Sequence, residues 1–471
     1  MKIVYNLIFF PITLLISSCG QFSSQNEGVI TCEYKIEIND LKGPEWSKGL
    51  PVYQVFLQRH TKEGTINAFS KELPRLKEMG IGIIWLMPIH PMGEQRDGDR
   101  NPYCVKDHFG VTEPLGTKAD LKQLLDDIHN SGMYAMLGVV PNHTSYDNPL
   151  ITSHPEYYIR RDDGTVAHAG PWTTIAQLDY SKQEVREYAC SYLEYWADFG
   201  FDGFRVDVAG MIPDDFWAQC IPQINKKHPN FFWLSESNKE SHHNLFDMTY
   251  DWTTAPHLWK IFWNEWPATK LDSLLKKEKP YLEKGALIMR HANNHDLHIS
   301  LYPPPFTNMI PLEILRQRGN VYDNYGEGLK VANVLYATLP GKYMIYNGQE
   351  ANYRGKLPHN TMIYEPIEWG DKSMYQFYKS LFELHKNFPA IYKGTFYKLK
   401  TNNDKNIFAF MREFGDDEVL VLTNLSGEDK IIQIESKICK RKWEEYFTGE
   451  KIRSLNDIEL GPYGYKVYTS K

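Results

Sequence analysis

The stretch FDGFRVDV, residues 201–208, decides how the chain folds. It follows an amphipathic run that ends at Gly200, so the pattern predicts a helix, a glycine stop and a short apolar strand. Arg205 and Asp207 stand two residues apart on that strand and therefore point to the same face. A carboxylate beside an arginine stays ionised at neutral pH. Taken alone, such a pair is most often a salt bridge at a strand end.

Two other acidic positions follow short apolar runs. Glu236 comes directly after residues 231–235, and Asp296 closes the triplet Asn294-His295-Asp296 shortly after residues 286–289. Acidic side chains at the ends of three separate strands favour a functional site over an isolated ion pair.

Apolar strands alternate with amphipathic helices from about residue 51, which is the pattern of a parallel sheet covered by helices. There are eight strand candidates, the number that closes a (β/α)8 TIM barrel. They are residues 52–57, 81–87, 134–140, 201–208, 231–234, 246–250, 286–289 and 343–346.

Three helices carry clear local signals. Residues 66–79 predict one helix with a kink at Pro74 and a stop at Gly80. Thr117 is expected to cap the helix that leads to the third strand. The tetrad Ser181-Lys182-Gln183-Glu184 predicts a capping box before the central strand.

The chain is predicted to divide into a barrel and a β domain. The barrel covers residues 51–389 and includes a short insert, residues 144–180, after the third strand. Residues 390–471 lose the helical period and form a small antiparallel β domain without obvious chemistry. Its strand candidates are residues 396–400, 407–412, 419–424, 431–435 and 465–469.

Composition excludes few classes of function. The net charge of the 471 residues is −7 with no long basic run, so nothing favours a nucleic-acid partner. Aromatic residues make up 14% of the chain, which suits stacking on sugars but equally suits a large core.

The first residues predict a bacterial export signal. Residues 1–19 hold an apolar run too short to span a bilayer comfortably, followed by small residues before Cys19. This order resembles a lipobox, in which Cys19 becomes the lipidated N-terminus and anchors the protein to a membrane. Residues 20–50 then form a tether and N-terminal segment. An ordinary cleaved signal is the alternative.

The other cysteines show no metal pattern. Removing Cys19 from the six leaves an odd number without C-x-x-C spacing, so neither a zinc site nor a disulfide framework is indicated. One bridge is possible outside the cytoplasm, and the sequence does not say which. The five are Cys32, Cys104, Cys190, Cys220 and Cys439.

Four ordered blocks resemble the conserved regions of the α-amylase family, glycoside hydrolase family 13. Tyr103 and the segment from Leu339 to Glu350 fit as well, and the likeness extends over about residues 51–471. The blocks are Val139-Val140-Pro141-Asn142-His143, Gly203-Phe204-Arg205-Val206-Asp207, Glu236, and Asn294-His295-Asp296.

The resemblance implies a retaining glycosidase. Asp207, held ionised by Arg205, would be the nucleophile, and Glu236 the acid that protonates the leaving oxygen and later activates water. Like-charge repulsion from Asp207 and Asp296 would raise the pKa of Glu236. Asp296 would be the third carboxylate, holding sugar hydroxyls and favouring the distorted transition state.

The resemblance also implies a set of substrate-binding residues. His143 and His295 would hydrogen-bond hydroxyls of the sugar beside the carboxylates, and Tyr103 would stack under it. Arg205 completes this set. A lone histidine is more often structural, but both histidines follow an asparagine at a strand end.

The chain departs from the family pattern at three places. Gly138 stands where the family usually has Asp, Gly210-Met211 where amylases often have Lys-His, and Gln177 where an Asp often precedes Leu178. No cofactor is required, and a calcium ion of the usual kind is not expected. Asn142 remains a weak calcium candidate, and further oxygens are available from Asp162, Asp163 and Asp179.

Three aromatic features have a structural alternative. The proline-rich stretch 302–306 predicts a cleft wall, with a surface loop about equally expected. Trp172 in the insert is a candidate sugar contact, whereas Trp85 is expected in the core.

Three functions fit the sequence. The first is hydrolysis of α-glucosidic bonds in starch-like glucans or malto-oligosaccharides. The second is transglycosylation or isomerisation through the same covalent intermediate. The third is a membrane-tethered glycan-binding protein without catalysis, against which the full set of carboxylates argues.

Overall fold

The computed structural model describes residues 30–96, 101–296, 321–355, 365–438, 442–452, 455 and 457–470. The predicted export signal, residues 1–19, and the proline-rich stretch 302–306 lie outside the described residues. Within the described part of the chain, no helix is both long enough and apolar enough to cross a bilayer.

Eight parallel strands close into a barrel, which confirms the predicted fold class. The barrel closes where Met344 on the last strand pairs with Val52 on the first. The strands are β2 (Val52–Val55), β3 (Ile83–Leu86), β4 (Tyr134–Val139), β8 (Gly203–Val206), β9 (Phe232–Ser235), β10 (Met248–Tyr250), β11 (Leu287–Arg290) and β12 (Lys342–Tyr346).

The barrel is filled by side chains, as expected for strands buried on both faces. Trp85 is fully buried in this interior, which confirms its predicted place in the core. The buried members of the interior cluster are Val52, Ile83, Trp85, Met136, Phe232, Leu234, Met248, Tyr250, Leu287, Met289 and Met344.

Helices pack around the outside of the barrel, apart from the short α5 (Leu150–Ser153), which lies between two strands of the insert. They are α1 (Leu57–His60), α2 (Ile66–Ser70), α3 (Leu73–Met79), α4 (Lys118–Asn130), α5 (Leu150–Ser153), α6 (Gln183–Phe199), α7 (Asp214–Lys227), α8 (His242–Leu245), α9 (Ala255–Phe262), α10 (Lys270–Leu282), α11 (Val321–Tyr325), α12 (Leu329–Thr338), α13 (Tyr375–Asn387) and α14 (Pro389–Lys393).

Of the three helix predictions, one is confirmed and two are wrong. The predicted kinked helix 66–79 is wrong: α2 and α3 are separate, and Pro74 lies in the first turn of α3, where its missing N–H costs nothing. Thr117 caps α4 as predicted. The capping box before α6 is also wrong, because Ser181 donates to Asp179 and Lys182 is the N-cap.

The insert after β4 forms its own small sheet. Its strands β5 (His143–Ser145), β6 (His168–Ala169) and β7 (Trp172–Gln177) lie in the order β5-β7-β6. The first strand of this small sheet begins at His143, shortly after β4 ends at Val139.

The last part of the chain is antiparallel, as predicted. β1 (Tyr34–Ile36) pairs with β13 (Thr395–Leu399), so the segment before the barrel contributes one strand. The seven-stranded sheet consists of β1, β13, β14 (Ile407–Phe414), β15 (Asp417–Asn424), β20 (Tyr465–Ser470), β17 (Trp443–Glu445) and β18 (Lys451–Ile452), in that order. Strands β16 (Lys430–Ile432) and β19 (Ile458–Leu460) form a separate pair. The predicted domain boundaries stay predictions.

Candidate active site

The carboxyl end of β8 presents the ion pair that the sequence predicts. Arg205 is fully buried, and its Nη1 donates to Asp207 Oδ1 at 2.6 Å. Because Arg205 lies in a strand and Asp207 one residue beyond its end, the spacing of two places both side chains on one face.

The same guanidinium reaches a second carboxylate. Glu236 follows β9 directly, and its Oε1 lies 2.5 Å from Arg205 Nη2. Its Oε2 accepts a hydrogen bond of 2.7 Å from the backbone N–H of Val208. Adjacent nitrogens of one guanidinium therefore hold Asp207 and Glu236 next to each other.

Aromatic rings enclose the arginine. Its Nε donates to the Tyr250 hydroxyl at 2.9 Å. The guanidinium carbon lies 5.6 Å from the Trp85 ring, 5.7 Å from the Tyr103 ring and 5.2 Å from the Tyr250 ring. This environment fixes Arg205 in one position, and sequence reasoning missed Tyr250, whose only signal was its place at the end of a strand candidate.

Asp296 joins this group from the loop after β11. Its Oδ1 lies 3.2 Å from His295 Nε2, and its side chain is 22% exposed, against 9% for Asp207 and 11% for Glu236. Burial is the main cause of the raised pKa of Glu236 and of Tyr103, and the charge of Asp296 adds to both shifts. The structure thus brings together the three acidic residues singled out in the sequence.

His295 is held between two side chains. Gln54 Nε2 donates to its Nδ1 at 2.7 Å, so the imidazole proton belongs on Nε2, which lies 2.6 Å from the Tyr103 hydroxyl. The His295 and Tyr103 rings stack at 5.3 Å. Sequence reasoning missed Gln54, although a polar residue within an otherwise apolar buried strand was a signal.

His143 uses both ring nitrogens inside the protein. Its Nε2 donates to the backbone carbonyl of Tyr103 at 3.1 Å, and its Nδ1 accepts from Asn142 Nδ2 at 3.2 Å. A hydrogen bond from His143 to a ligand therefore has to share or replace one of these contacts.

The pKa of Glu236 is governed first by burial. Burial raises the pKa of Glu236 well above its ordinary value, and the charges of Asp207 and Asp296 raise it further. Arg205 and the Val208 N–H act in the opposite direction. The predicted direction of this pKa shift is correct, but the predicted main cause, like-charge repulsion, ranks behind burial.

The departure at Gly138 has a local explanation. Gly138 on β4 pairs with Arg205 on β8, and a side chain at this glycine would meet Pro88 Cδ at 3.1 Å. Pro88 thus occupies the space next to the strand that a larger residue would need.

The residues considered for calcium are engaged with protein groups. Gln177 Nε2 donates to the Asn142 carbonyl oxygen at 3.0 Å and to its Oδ1 at 3.2 Å. Asp163 accepts from Thr165, and Asp179 from Ser181. Among the described residues, no cluster of three or more His, Cys, Asp or Glu side chains is arranged to hold a metal ion.

Trp172 packs inside the insert. It lies against the buried cluster of Cys104, Ala169 and Ile175. Its predicted contact with sugar stays a prediction.

Two family models match parts of the chain. Residues 24–166 match the model described as alpha amylase, catalytic domain, and residues 396–467 match maltogenic amylase, C-terminal domain. The first match contains Tyr103, Asn142 and His143, whereas the three carboxylates lie beyond it.

Similar proteins cover almost the whole chain. Alpha-amylase 2 of Dictyoglomus thermophilum is 23% identical over 91% of this chain and 77% of its own length. Oligo-1,6-glucosidase of Bacillus cereus is 22% identical over 91% of this chain and 100% of its own length. The crystal structure of the maltogenic α-amylase AmyB from Thermotoga neapolitana superposes with a TM-score of 0.77, at 23% identity, over 90% of this chain and 99% of that one.

Proposed function

We infer that the protein is a retaining glycoside hydrolase of the α-amylase family that cleaves α-glucosidic bonds in starch-like glucans or malto-oligosaccharides. The observation that carries this inference is the pairing of Asp207 and Glu236 on the two nitrogens of Arg205. Retention requires two carboxyl groups about 5–5.5 Å apart, whereas inversion needs a wider gap of about 6.5–9.5 Å for water. Two carboxylates on one guanidinium suit the shorter separation.

The first step divides the work between these two residues. Glu236, kept protonated by burial and by neighbouring negative charge, gives its proton to the glycosidic oxygen as the bond from that oxygen to the anomeric carbon breaks. An oxygen of Asp207 attacks the anomeric carbon from the opposite face and forms a covalent glycosyl ester. The sugar beyond the bond leaves as an alcohol.

The second step releases the sugar. Glu236, now a carboxylate, takes a proton from water, and the water oxygen attacks the anomeric carbon. The ester bond to Asp207 breaks, and its carboxylate returns to the Arg205 guanidinium. Two inversions at one carbon leave the product in the α configuration.

The remaining residues hold the sugar. Asp296 accepts from hydroxyls of the ring under attack, and the Tyr103 ring lies under the same sugar. His295 Nε2 lies 2.6 Å from the Tyr103 hydroxyl and 3.2 Å from Asp296 Oδ1, so its hydrogen bond to a sugar hydroxyl shares or replaces one of these contacts. His143 completes the pocket by fixing the Tyr103 backbone.

Following maltoheptaose over time tests the function. Hydrolysis gives only shorter sugars, whereas a transglycosylase gives longer ones as well, an isomerase gives sugars of unchanged length with new linkages, and a binding protein changes nothing. Proton NMR at early times distinguishes an α product, expected here, from the β product of an inverting enzyme. An initial β product would overturn the proposed roles.

We also propose that activity needs no calcium. The amide of Gln177 already supplies donors to both oxygens of Asn142, where a cation would require them as ligands. The support for this proposal is that Gln177 places an amide donor where an Asp side chain would offer a carboxylate to the cation.

We further propose that the protein is an exported lipoprotein anchored through Cys19. The support is the order of charged, apolar and small residues before that cysteine. Replacing Cys19 with Ser should move the protein from the membrane fraction to the soluble fraction, and unchanged partitioning would refute the anchor.

A further inference from the structure

Helices α6 and α7 come directly before and after β8 in the chain, the strand that carries Arg205 and is followed by Asp207. Each helix buries one cysteine, Cys190 on α6 with 6% exposure and Cys220 on α7 with 2%. The proposed enzymatic mechanism uses neither of them.

Ion pairs bracket the two cysteines. At one end, Arg186 Nη1 and Nη2 donate to the two carboxylate oxygens of Asp215 at 2.9 and 3.2 Å. At the other end, Lys227 lies 3.3 Å from Glu194 and 2.5 Å from Asp198.

The helical period places the cysteines between these pairs. Arg186, Cys190 and Glu194 follow each other at four-residue spacing and therefore share one face of α6. Cys220 lies between Asp215 and Lys227 on the facing helix. The parallel helices thus align Cys190 with Cys220.

The thiols affect one another at this crossing. The neighbouring Cys220 lowers the pKa of Cys190, and Cys190 together with burial raises the pKa of Cys220. Both shifts arise first from a hydrogen bond between the two thiols, so the Cys190 and Cys220 side chains are in contact.

We propose that Cys190 and Cys220 are a disulfide site that closes when the protein folds in an oxidising environment. Two S–H bonds break and one S–S bond forms, and two protons and two electrons pass to the disulfide of a thiol–disulfide oxidoreductase or of oxidised glutathione, which becomes the dithiol. Because both sulfurs are buried, the bond forms while the helices dock.

The bond would enclose the central segment of the barrel. Residues 190–220 contain β8, Arg205 and Asp207. Linking the two ends of this segment restricts the unfolded chain and stabilises this unit of the barrel.

The test measures thiols and does not depend on the proposed function. The full chain is refolded in oxidised glutathione, denatured in iodoacetamide without reductant and digested. A linked peptide containing Cys190 and Cys220 is expected, together with a fall of roughly 3 °C in melting temperature when reductant is added. Alkylation of both cysteines in the unreduced protein would overturn the proposal.

Matched variants identify the pair. C190S and C220S should each abolish the linked peptide and the effect of reductant, whereas C104S, which removes a buried cysteine on another part of the barrel, should change neither. A linked peptide that persists in C190S, or one that contains Cys104, would contradict the assignment.

Discussion

The backbone N–H of Val208 donates a 2.7 Å hydrogen bond to Glu236 Oε2, so the residue after the proposed nucleophile holds the proposed acid. Val208 adopts φ 36° and ψ 39°, a left-handed conformation that costs a β-branched residue on the order of 1–2 kcal/mol. The strained residue follows Asp207 directly, at the turn after β8. Its conformation orients the Val208 N–H toward Glu236 at the end of β9.

Asp207→Asn and Glu236→Gln should each lower kcat by several orders of magnitude while the fold is kept, because each removes a group that forms or breaks a bond. On an aryl α-maltoside with a good leaving group, Glu236→Gln should lose less in the first step than Asp207→Asn, since that leaving group needs no proton.

Steady-state kinetics and circular dichroism check both variants. Asp202→Asn is the control, because Asp202 lies before the amino end of β8 and accepts from Ala135 N and His129. Near-normal turnover of Asp207→Asn would show that the assigned roles are wrong.

The pH dependence of kcat/KM should report the raised pKa of Glu236. Catalysis needs this carboxyl protonated, so kcat/KM falls as pH rises through its pKa, which burial and the charges of Asp207 and Asp296 place well above the ordinary value. A basic limb centred near pH 4.3, the value of an unperturbed glutamate, would refute this account.

Tyr103 should contribute through both its hydroxyl and its ring. Tyr103→Phe loses the 2.6 Å contact with His295 Nε2 but keeps the stacking face, so kcat/KM should fall about tenfold. Tyr103→Ala removes both and should cost a further ~10-fold or more. Equal losses in the two variants would assign the effect to the hydroxyl alone.

Removing divalent metals should change stability little. Since Gln177 donates to Asn142 in the place where a cation would bind, a chelator should leave the melting temperature within about 1 °C. Gln177→Ala should lower the melting temperature without making it calcium-dependent. A large drop on chelation in the unmodified protein would show a bound structural ion.

Lys342 should make stability rise with pH. It lies buried at the amino end of β12, where its Nζ donates to the carbonyls of Ser47 and Leu50, and burial lowers its pKa to about 7. Because the unfolded value is 10.5, the folded protein binds fewer protons between these values, and the free energy of unfolding rises with pH by up to about 1.4 kcal/mol per unit.

Denaturant unfolding between pH 7 and 9.5 measures this slope. His385 titrates below this window, because its ordinary value is 6.5 and burial lowers its pKa to about 3. Lys342→Met should flatten the slope, whereas Lys122→Met, at an exposed position of α4, should not. An unchanged slope in Lys342→Met would assign the pH dependence to other groups.

Much of the site was predictable because its signals are local. The spacing of Arg205 and Asp207 fixes their common face in any strand, and eight apolar runs are enough to indicate a barrel. Helix starts were less predictable: Pro74 opens a new helix instead of bending one, and Ser181 bonds to Asp179 instead of capping α6. Both outcomes depend on how the neighbouring chain packs.

The sequence by itself determined the fold class and the acidic residues that meet at one end of the barrel. Only the tertiary structure decided that Gln54 orients His295 across 241 residues, that Tyr250 fixes Arg205, and that Cys190 faces Cys220. These contacts join segments far apart in the chain, so they exist only once the barrel has closed in one register. Burial of Glu236, the first cause of its raised pKa, is likewise a property of the closed barrel, because it is set by everything that surrounds the carboxyl group.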